Sequence, residues 1–217
     1  MTTPANSPRR RVLLATRNPG KRREIVAILA DLPLSPFGVK GLPAAWAVLD
    51  HFPGLPEAVE DGRSFAENAA KKAVAFAQAS GLISLADDSG LEVDALNGAP
   101  GLYSARYSPK PGATDADRRA FLLQNLQDKP HPWMARFRAT VAVSSPDGSV
   151  EWAEGVCEGQ IIPEERGTGG FGYDPIFFIP ELGRTMAELP EETKNRLSHR
   201  ARAVQATKPI LVRVFGL

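Results

Sequence analysis

The constraint that most narrows the folds open to this chain is a change of apolar period partway along it. Residues 11–15 (RVLLA) read as a short buried strand, and residues 16–21 (TRNPGK) as a polar loop. Residues 22–30 follow as a helix with Ile25, Ile28 and Leu29 on one side. A second helix is signalled over 64–80: Ser64 and Glu67 make a capping box, an Ala-rich run follows, and Gly81 stops it. A strand over 82–86 then ends at Asp87-Asp88-Ser89-Gly90. Residues 97–111 read as a loop, and Thr114 caps a helix to Gln127 with Phe121, Leu122 and Leu126 inward. Beyond it the period drops to two. Phe137, Ala139, Val141 and Val143 alternate with Arg136, Arg138 and Thr140, the wetter face. Pro146-Asp147-Gly148 is a hairpin turn, residues 149–162 return as one or two strands, and 176–179 is another. A last helix is capped by Ser198 and kinked at Pro209, with Leu197, Ala201, Val204, Leu211 and Val214 along its inner stripe. Alternating strands and helices followed by clustered strands specify α/β or α+β with a mixed sheet. Residues 31–63 hold five prolines and no clear period; a strand near 34–39 is expected there.

Composition removes several function classes. Lys plus Arg is 26 and Asp plus Glu 25, so net charge draws the chain toward neither nucleic acid nor an acidic membrane. No uncharged apolar run nears the roughly 20 residues of a membrane helix. Apolar residues at 43% and charged residues at 24% are those of a globular chain. Cys157 is alone, which excludes an intrachain disulfide or a Cys-based zinc site and fits a reducing cytoplasm. Residues 1–10 are expected to be a flexible extension without a signal peptide, and residues 11–217 a single domain. Gly and Pro number 19 each, against roughly 26 together in an average chain of this length.

Four segments can carry chemistry. Thr16, Arg17, Asn18, Pro19, Gly20 and Lys21 join a strand to a helix, where backbone N–H groups and a cation suit a phosphate. The GxxxxGK[ST] spacing is missing, and an ordinary strand–helix turn reads the same way. Asp87 and Asp88 are adjacent carboxylates that in extended geometry face opposite sides. One can meet a hard cation such as Mg²⁺ while the other holds the loop, or both can cap a turn. Glu57, Glu60 and Asp61 form another acidic group, which by default is a solvated loop. Gly167 to Asp174 (GTGGFGYD) allows close backbone approach, with Phe171 and Tyr173 as flat faces and Asp174 as an acceptor, or is a Gly-rich hairpin tip. Lys194, Ser198, His199 and Arg200 put cations at a helix start, against the dipole. That arrangement suits an anion or a carbonyl, or is a solvated helix end.

In this order the segments resemble the inosine/xanthosine triphosphate pyrophosphatase family, which acts on non-canonical purine triphosphates. The stretches are LLATRNPGKRREI, SFAENAAKKA, LADDSGLEVDALNGAPGLYSARYS, GTGGFGYDPIF and KNRLSHRARA, spread from residue 12 to 217. The resemblance implies an elongated two-lobed α/β fold, a long mixed sheet flanked by helices, and a nucleotide cleft between the lobes. It also implies a homodimer and Mg²⁺-dependent release of pyrophosphate from ITP, dITP or XTP. It puts the phosphate loop on Thr16, Asn18 and Lys21, the general base on Asp88, and the metal on Glu60 and Asp88. Ser89 and Lys72 fall on substrate contacts. Phe171, Gly172, Tyr173 and Asp174 fall on the base-binding segment, as do Lys194, His199 and Arg200. Arg17 stands where smaller residues are usual and adds a possible phosphate contact. The rival readings are a Maf-like pyrophosphatase for other modified nucleotides and a nucleotide-sensing module without turnover. The SHR and FGYD elements oppose the first, and the intact acidic pair opposes the second. Balanced charge opposes a nucleic-acid partner.

Overall fold

The computed structural model describes residues 10–30, 32, 44–55 and 57–215. Residues 1–9 of the expected extension and the strand expected near 34–39 lie outside the described residues, and Arg10, given to the extension, begins the first strand. The chain opens with β1 (Arg10–Leu14), α1 (Pro19–Ile28) and β2 (Ala44–Val48), then α2 (Phe65–Ser80). The centre is β3 (Ile83–Val93), α3 (Asp115–Leu126), β4 (Trp133–Ser144) and β5 (Val150–Ile161). The end is β6 (Phe177–Ile179), β7 (Arg184–Thr185), α4 (Glu191–Leu197), α5 (His199–Ala206) and α6 (Lys208–Phe215). One seven-stranded sheet has the order β2-β1-β3-β4-β5-β6-β7. β1 lies parallel to β2 and β3, and the remaining pairs are antiparallel. The fold is α/β with a mixed sheet.

Local chemistry explains the element ends. Asn18 caps α1 with Pro19 in its first turn, so the helix begins earlier than the apolar spacing predicts. Ser64 caps α2 by accepting from Glu67 N at 3.1 Å. The Glu67 carboxylate instead accepts from Arg63 N at 2.8 Å, so the expected reciprocal box forms one residue early. Gly81 closes α2 in the left-handed region, at φ 70°. Thr114 and Asp117 form a full capping box on α3. Ser198 caps α5, but the final helix is broken, not kinked: α5 ends at Ala206, Thr207 is a turn, and α6 restarts at Lys208 with Pro209 in its first turn. Leu197 belongs to α4, a helix the spacing did not reveal. Residues 101–106, inside the loop expected over 97–111, form a 3-10 helix, and 94–96 form another just before it.

The long strands carry separate apolar clusters. On one face of β3, Leu85 packs with Ile25, Val141, Val143 and Val204, beneath α1 and α5. Leu91 and Val93 on the same face join Leu122, Leu126, Phe137 and Phe177. Between the clusters this face presents Asp87 and Ser89. On the opposite face Ala86 and Ala142 lie under Ala69, Ala73 and Phe76 of α2. Alanines four apart let the helix sit close to the sheet. Thr140, expected on a wet face, is 2% exposed because α2 covers that side. α5 is seated as tightly on β5: a Cβ at Gly155 would lie 2.1 Å from His199 O and 2.5 Å from Ala203 N. Among the described residues no helix is long and apolar enough to cross a membrane.

Candidate active site

β3 does not stop at the acidic pair but runs through it to Val93, and its alternation sends the two carboxylates to opposite faces. Asp88 faces α2. Asn68 Nδ2 donates to Asp88 Oδ2 at 3.0 Å, and Lys72 Nζ lies 3.3 Å from Asp88 Oδ1. Asn68 and Lys72 are four residues apart and so share one helix face. Lys72 also donates to the Asp87 carbonyl at 2.7 Å and pairs with Glu60 Oε1 at 3.0 Å. Burial opposes the Lys72 charge, yet Asp88, Asp87 and Glu60 together hold its pKa above the usual lysine value. Burial raises the Asp88 carboxyl above the usual range, with Lys72 partly offsetting it.

This donor set fits a hard divalent cation. Glu60 Oε1 and Asp88 Oδ1 converge on one cationic atom, Lys72 Nζ. Among the described residues no group of three or more His, Cys, Asp and Glu side chains forms a closed cage. Two carboxylates completed by water and phosphate oxygens are the arrangement that Mg²⁺ favours.

Asp87 turns the other way and starts a buried chain of alternating charge. Its Oδ1 lies 2.9 Å from Lys21 Nζ, and its Oδ2 accepts from Arg200 Nε at 3.1 Å and Ser89 Oγ at 3.2 Å. Arg200 also donates to Glu24 and, through Nη2, to Ser89 Oγ at 3.0 Å. Glu24 Oε1 and Asp174 Oδ2 each lie 2.8 Å from Lys194 Nζ. Asp174 Oδ2 also accepts from Phe171 N at 2.9 Å. Although burial penalises its charge, Lys21, Arg200 and Lys72 drive the Asp87 carboxyl far below the usual range. Burial lowers Lys21 despite Asp87. Burial raises Asp174, with Lys194 opposing. Asp87 is thus fully engaged away from the Glu60 side.

The cleft along this wall has two chambers. One, about 160 Å³, is lined by Leu91, Phe137, Phe171, Lys194, His199 and Arg200. The other, about 390 Å³, is lined by Thr16, Arg17, Glu60, Lys72, Asp88 and Arg106. Asn18, Lys21, Ser89 and Ala105 border both. An aromatic chamber and a charged chamber therefore meet at Lys21 and Ser89.

Several residues do other work than the sequence suggests. Asn18 Oδ1 accepts from Gly20 N at 2.8 Å and Lys21 N at 3.1 Å, so the first N–H groups of α1 are already capped rather than open to an anion. Thr16 Oγ1 accepts from Asn18 N at 3.2 Å. Arg17 is exposed and pairs with Glu57 at 3.7 Å. Pro19 and Gly20 bring the loop against Phe171, whose ring carbon would lie 2.8 Å from a Cβ at Gly20. Tyr173 is no stacking face: it is 4% exposed and donates through its hydroxyl to Ser104 O at 2.9 Å. Asp174 is spent on Phe171 N and Lys194. Phe171 is the aromatic face, with Lys194 Nζ 5.1 Å and Arg200 Cζ 5.4 Å from its ring centre. Gly172 is clamped on both sides of its residue: its N–H donates to Asp115 and its carbonyl accepts from Arg119, each at 2.8 Å.

Glu24, Asn68, Asp115 and Arg119 also belong to the site, outside the segments that the sequence marks for chemistry. Glu24 had a signal: it lies three residues after Lys21 and four before Ile28, which places a carboxylate on an inward face. Asp115 and Arg119 are likewise four apart on α3, but nothing local points them at residue 172.

His199 is buried, its ring stacked on Phe137 at 4.7 Å, and Nδ1 has no hydrogen-bond partner. Burial first, then Arg200, pulls its pKa well below 6.5; Asp87 opposes, and Lys194 and Lys21 add to the lowering. The expected clash of two cations with the α5 dipole is therefore absent, since His199 is neutral and Arg200 is balanced by Asp87 and Glu24. The unfolded chain binds this proton below pH 6.5 and the folded chain does not, so stability is lost as pH falls through 6.5. Thermal unfolding between pH 7 and pH 5 should lose more stability in the wild type than in His199→Gln; parallel curves would remove His199 as the source.

Comparison with known proteins adds identity to this geometry. The family model described as "Ham1 family" matches residues 12–210. A Geobacter sulfurreducens protein named dITP/XTP pyrophosphatase is 51% identical over 199 residues, 91% of this chain and 94% of that protein. A Desulforamulus reducens protein of the same name is 47% identical over 206 residues, 94% of this chain and 97% of that protein. The solved structure of a HAM1 protein from Coxiella burnetii superposes with a TM-score of 0.81 at 37% identity, covering 94% of this chain and 99% of that one.

Proposed function

The chain belongs to the Ham1 family, and we propose that its two-chambered cleft hydrolyses non-canonical purine nucleoside triphosphates to the monophosphate and pyrophosphate. It is a hydrolase of the nucleoside triphosphate pyrophosphatase type. The carrying observation is Asp88, with a raised carboxyl pKa, standing in the charged chamber beside the Lys21 and Ser89 border. The base takes the aromatic chamber against Phe171, and the triphosphate takes the charged one, reached by Thr16, Arg17, Asn18, Lys21 and Lys72.

Asp88 orients a water toward the α-phosphorus and accepts its proton. Asn68 leaves Asp88 Oδ1 on the Glu60 side for this work. Glu60 and Asp88 would hold Mg²⁺, which supplies charge neutralisation at the transferring phosphoryl group. Lys72, released from part of its carboxylate pairing, and Lys21 stabilise the departing pyrophosphate. A 6-carbonyl accepts hydrogen bonds from Arg200 or His199, whereas the amino group of adenine would set donor against donor. Hydrogen-bonded sites of this kind discriminate by roughly 10⁴-fold. On the same reading the catalyst is one domain over residues 11–217, works as a homodimer in the cytoplasm, and binds neither nucleic acid nor membrane.

A panel of triphosphates with and without Mg²⁺ tests the proposal by its products. ITP should give IMP and pyrophosphate only with the cation. IDP and orthophosphate would overturn α-attack, and binding without turnover would make the chain a sensor.

A further inference from the structure

Asn68 is 2% exposed in α2, and both ends of its amide are engaged. Nδ2 donates to Asp88 Oδ2 at 3.0 Å, and Oδ1 accepts from Gly62 N at 2.8 Å. One side chain thus ties β3 to the segment bearing Glu60, two residues before Gly62. The tie requires glycine at 62: a Cβ there would lie 2.6 Å from Asn68 Oδ1 and 2.8 Å from Glu67 Cβ. Packing alone does not call for an amide here, because the neighbouring inward positions Ala69, Ala73 and Ala77 are apolar. A buried amide is tolerated only where both its donor and its acceptor are satisfied.

The two Asp88 oxygens are made unequal by this contact. Oδ2 is held by Asn68, while Oδ1 faces Lys72 Nζ, the atom that Glu60 also meets. Resting on the reading of Glu60 and Asp88 as the cation-holding pair, we propose that Asn68 is a positioning residue. It fixes the Asp88 rotamer and, through Gly62, the separation of the two carboxylates. Losing such an outer partner lowers metal affinity or activity by about 10–100-fold.

The test uses the full chain and Mn²⁺ as the probe, with free ion read by electron paramagnetic resonance and turnover of ITP measured in parallel. Asn68→Ala removes both contacts, and Gly62→Ala displaces the amide while leaving Asn68 in place. Both variants should bind Mn²⁺ about 10–100-fold more weakly and lose kcat by a similar factor, with KM for ITP moving less than about 3-fold. Wild-type Mn²⁺ affinity and kcat in folded variants would overturn the proposal, as would a fall in melting temperature alone, which marks a packing role. Asp88→Asn run alongside separates the two levels. Full activity there defeats the reading of the site, while the Mn²⁺ titrations still decide Asn68.

Discussion

Asp88→Asn should lower kcat for ITP by roughly 10²–10⁴-fold, the usual contribution of a positioned base, while nucleotide Kd stays within a few-fold. The substitution is nearly isosteric, so binding surfaces survive, but an amide cannot accept the proton of the attacking water. It also faces two donors where Asp88 faced them with two acceptors: Asn68 Nδ2 on one side and Lys72 Nζ on the other. Whichever way the new amide turns, one of those donors meets its NH₂ group. Stability should nonetheless be kept. Burial raises the Asp88 pKa in the folded chain. A raised carboxyl stabilises the fold only below its unfolded value, and that contribution is lost as pH rises through the folded one. At pH 7 the ionised carboxylate is therefore a burden that a neutral amide removes. An enzyme that is inactive yet melts no lower than wild type is the expected outcome. Near-wild-type kcat would remove Asp88 as the base, and unfolding of the variant would show that its charge supports the fold.

The two chambers explain why some of this was legible in the sequence and some was not. The strand–loop–helix start, the Ser64, Thr114 and Ser198 caps, Gly81 and the 146–148 turn are local events, set by residues within a few positions of one another. The course of β3 was not local. Two aspartates, a serine and a glycine look like a strand end, because carboxylates disfavour the middle of a sheet. They are accommodated there only because Lys21, Lys72 and Arg200 arrive from distant parts of the chain. The same holds for Asp174 and Tyr173. Their residue types suggested ligand contacts, but partners at Lys194 and Ser104 take their polar atoms. The face opposition of Asp87 and Asp88 was legible, since it follows from strand geometry alone. The separation of their partners into Lys21 with Arg200 and Asn68 with Lys72 was not.

Arg200→Ala should be the most disruptive single change, and it acts on two quantities. Arg200 is 2% exposed and stands between two buried carboxylates, Asp87 and Glu24. Breaking a buried pair by removing one partner costs about 3–5 kcal/mol, because the remaining charge has lost its compensation. Lys21 still meets Asp87 and Lys194 still meets Glu24, so the loss should lie toward the lower end. Urea unfolding at pH 7 measures it. The second quantity is base preference. A charge-assisted hydrogen bond contributes about 1.5–3 kcal/mol, so kcat/KM for ITP should fall about 10–100-fold more than that for ATP. Arg200→Lys separates the two effects. It keeps the charge between the carboxylates and much of the stability, but an ammonium cannot reproduce the planar fork that reaches Asp87, Glu24 and Ser89 together. If Arg200→Lys is stable and has lost its preference for ITP, the guanidinium reads the base. If both variants lose ITP and ATP turnover equally, Arg200 serves the phosphates or the fold, and recognition of the 6-carbonyl passes to His199.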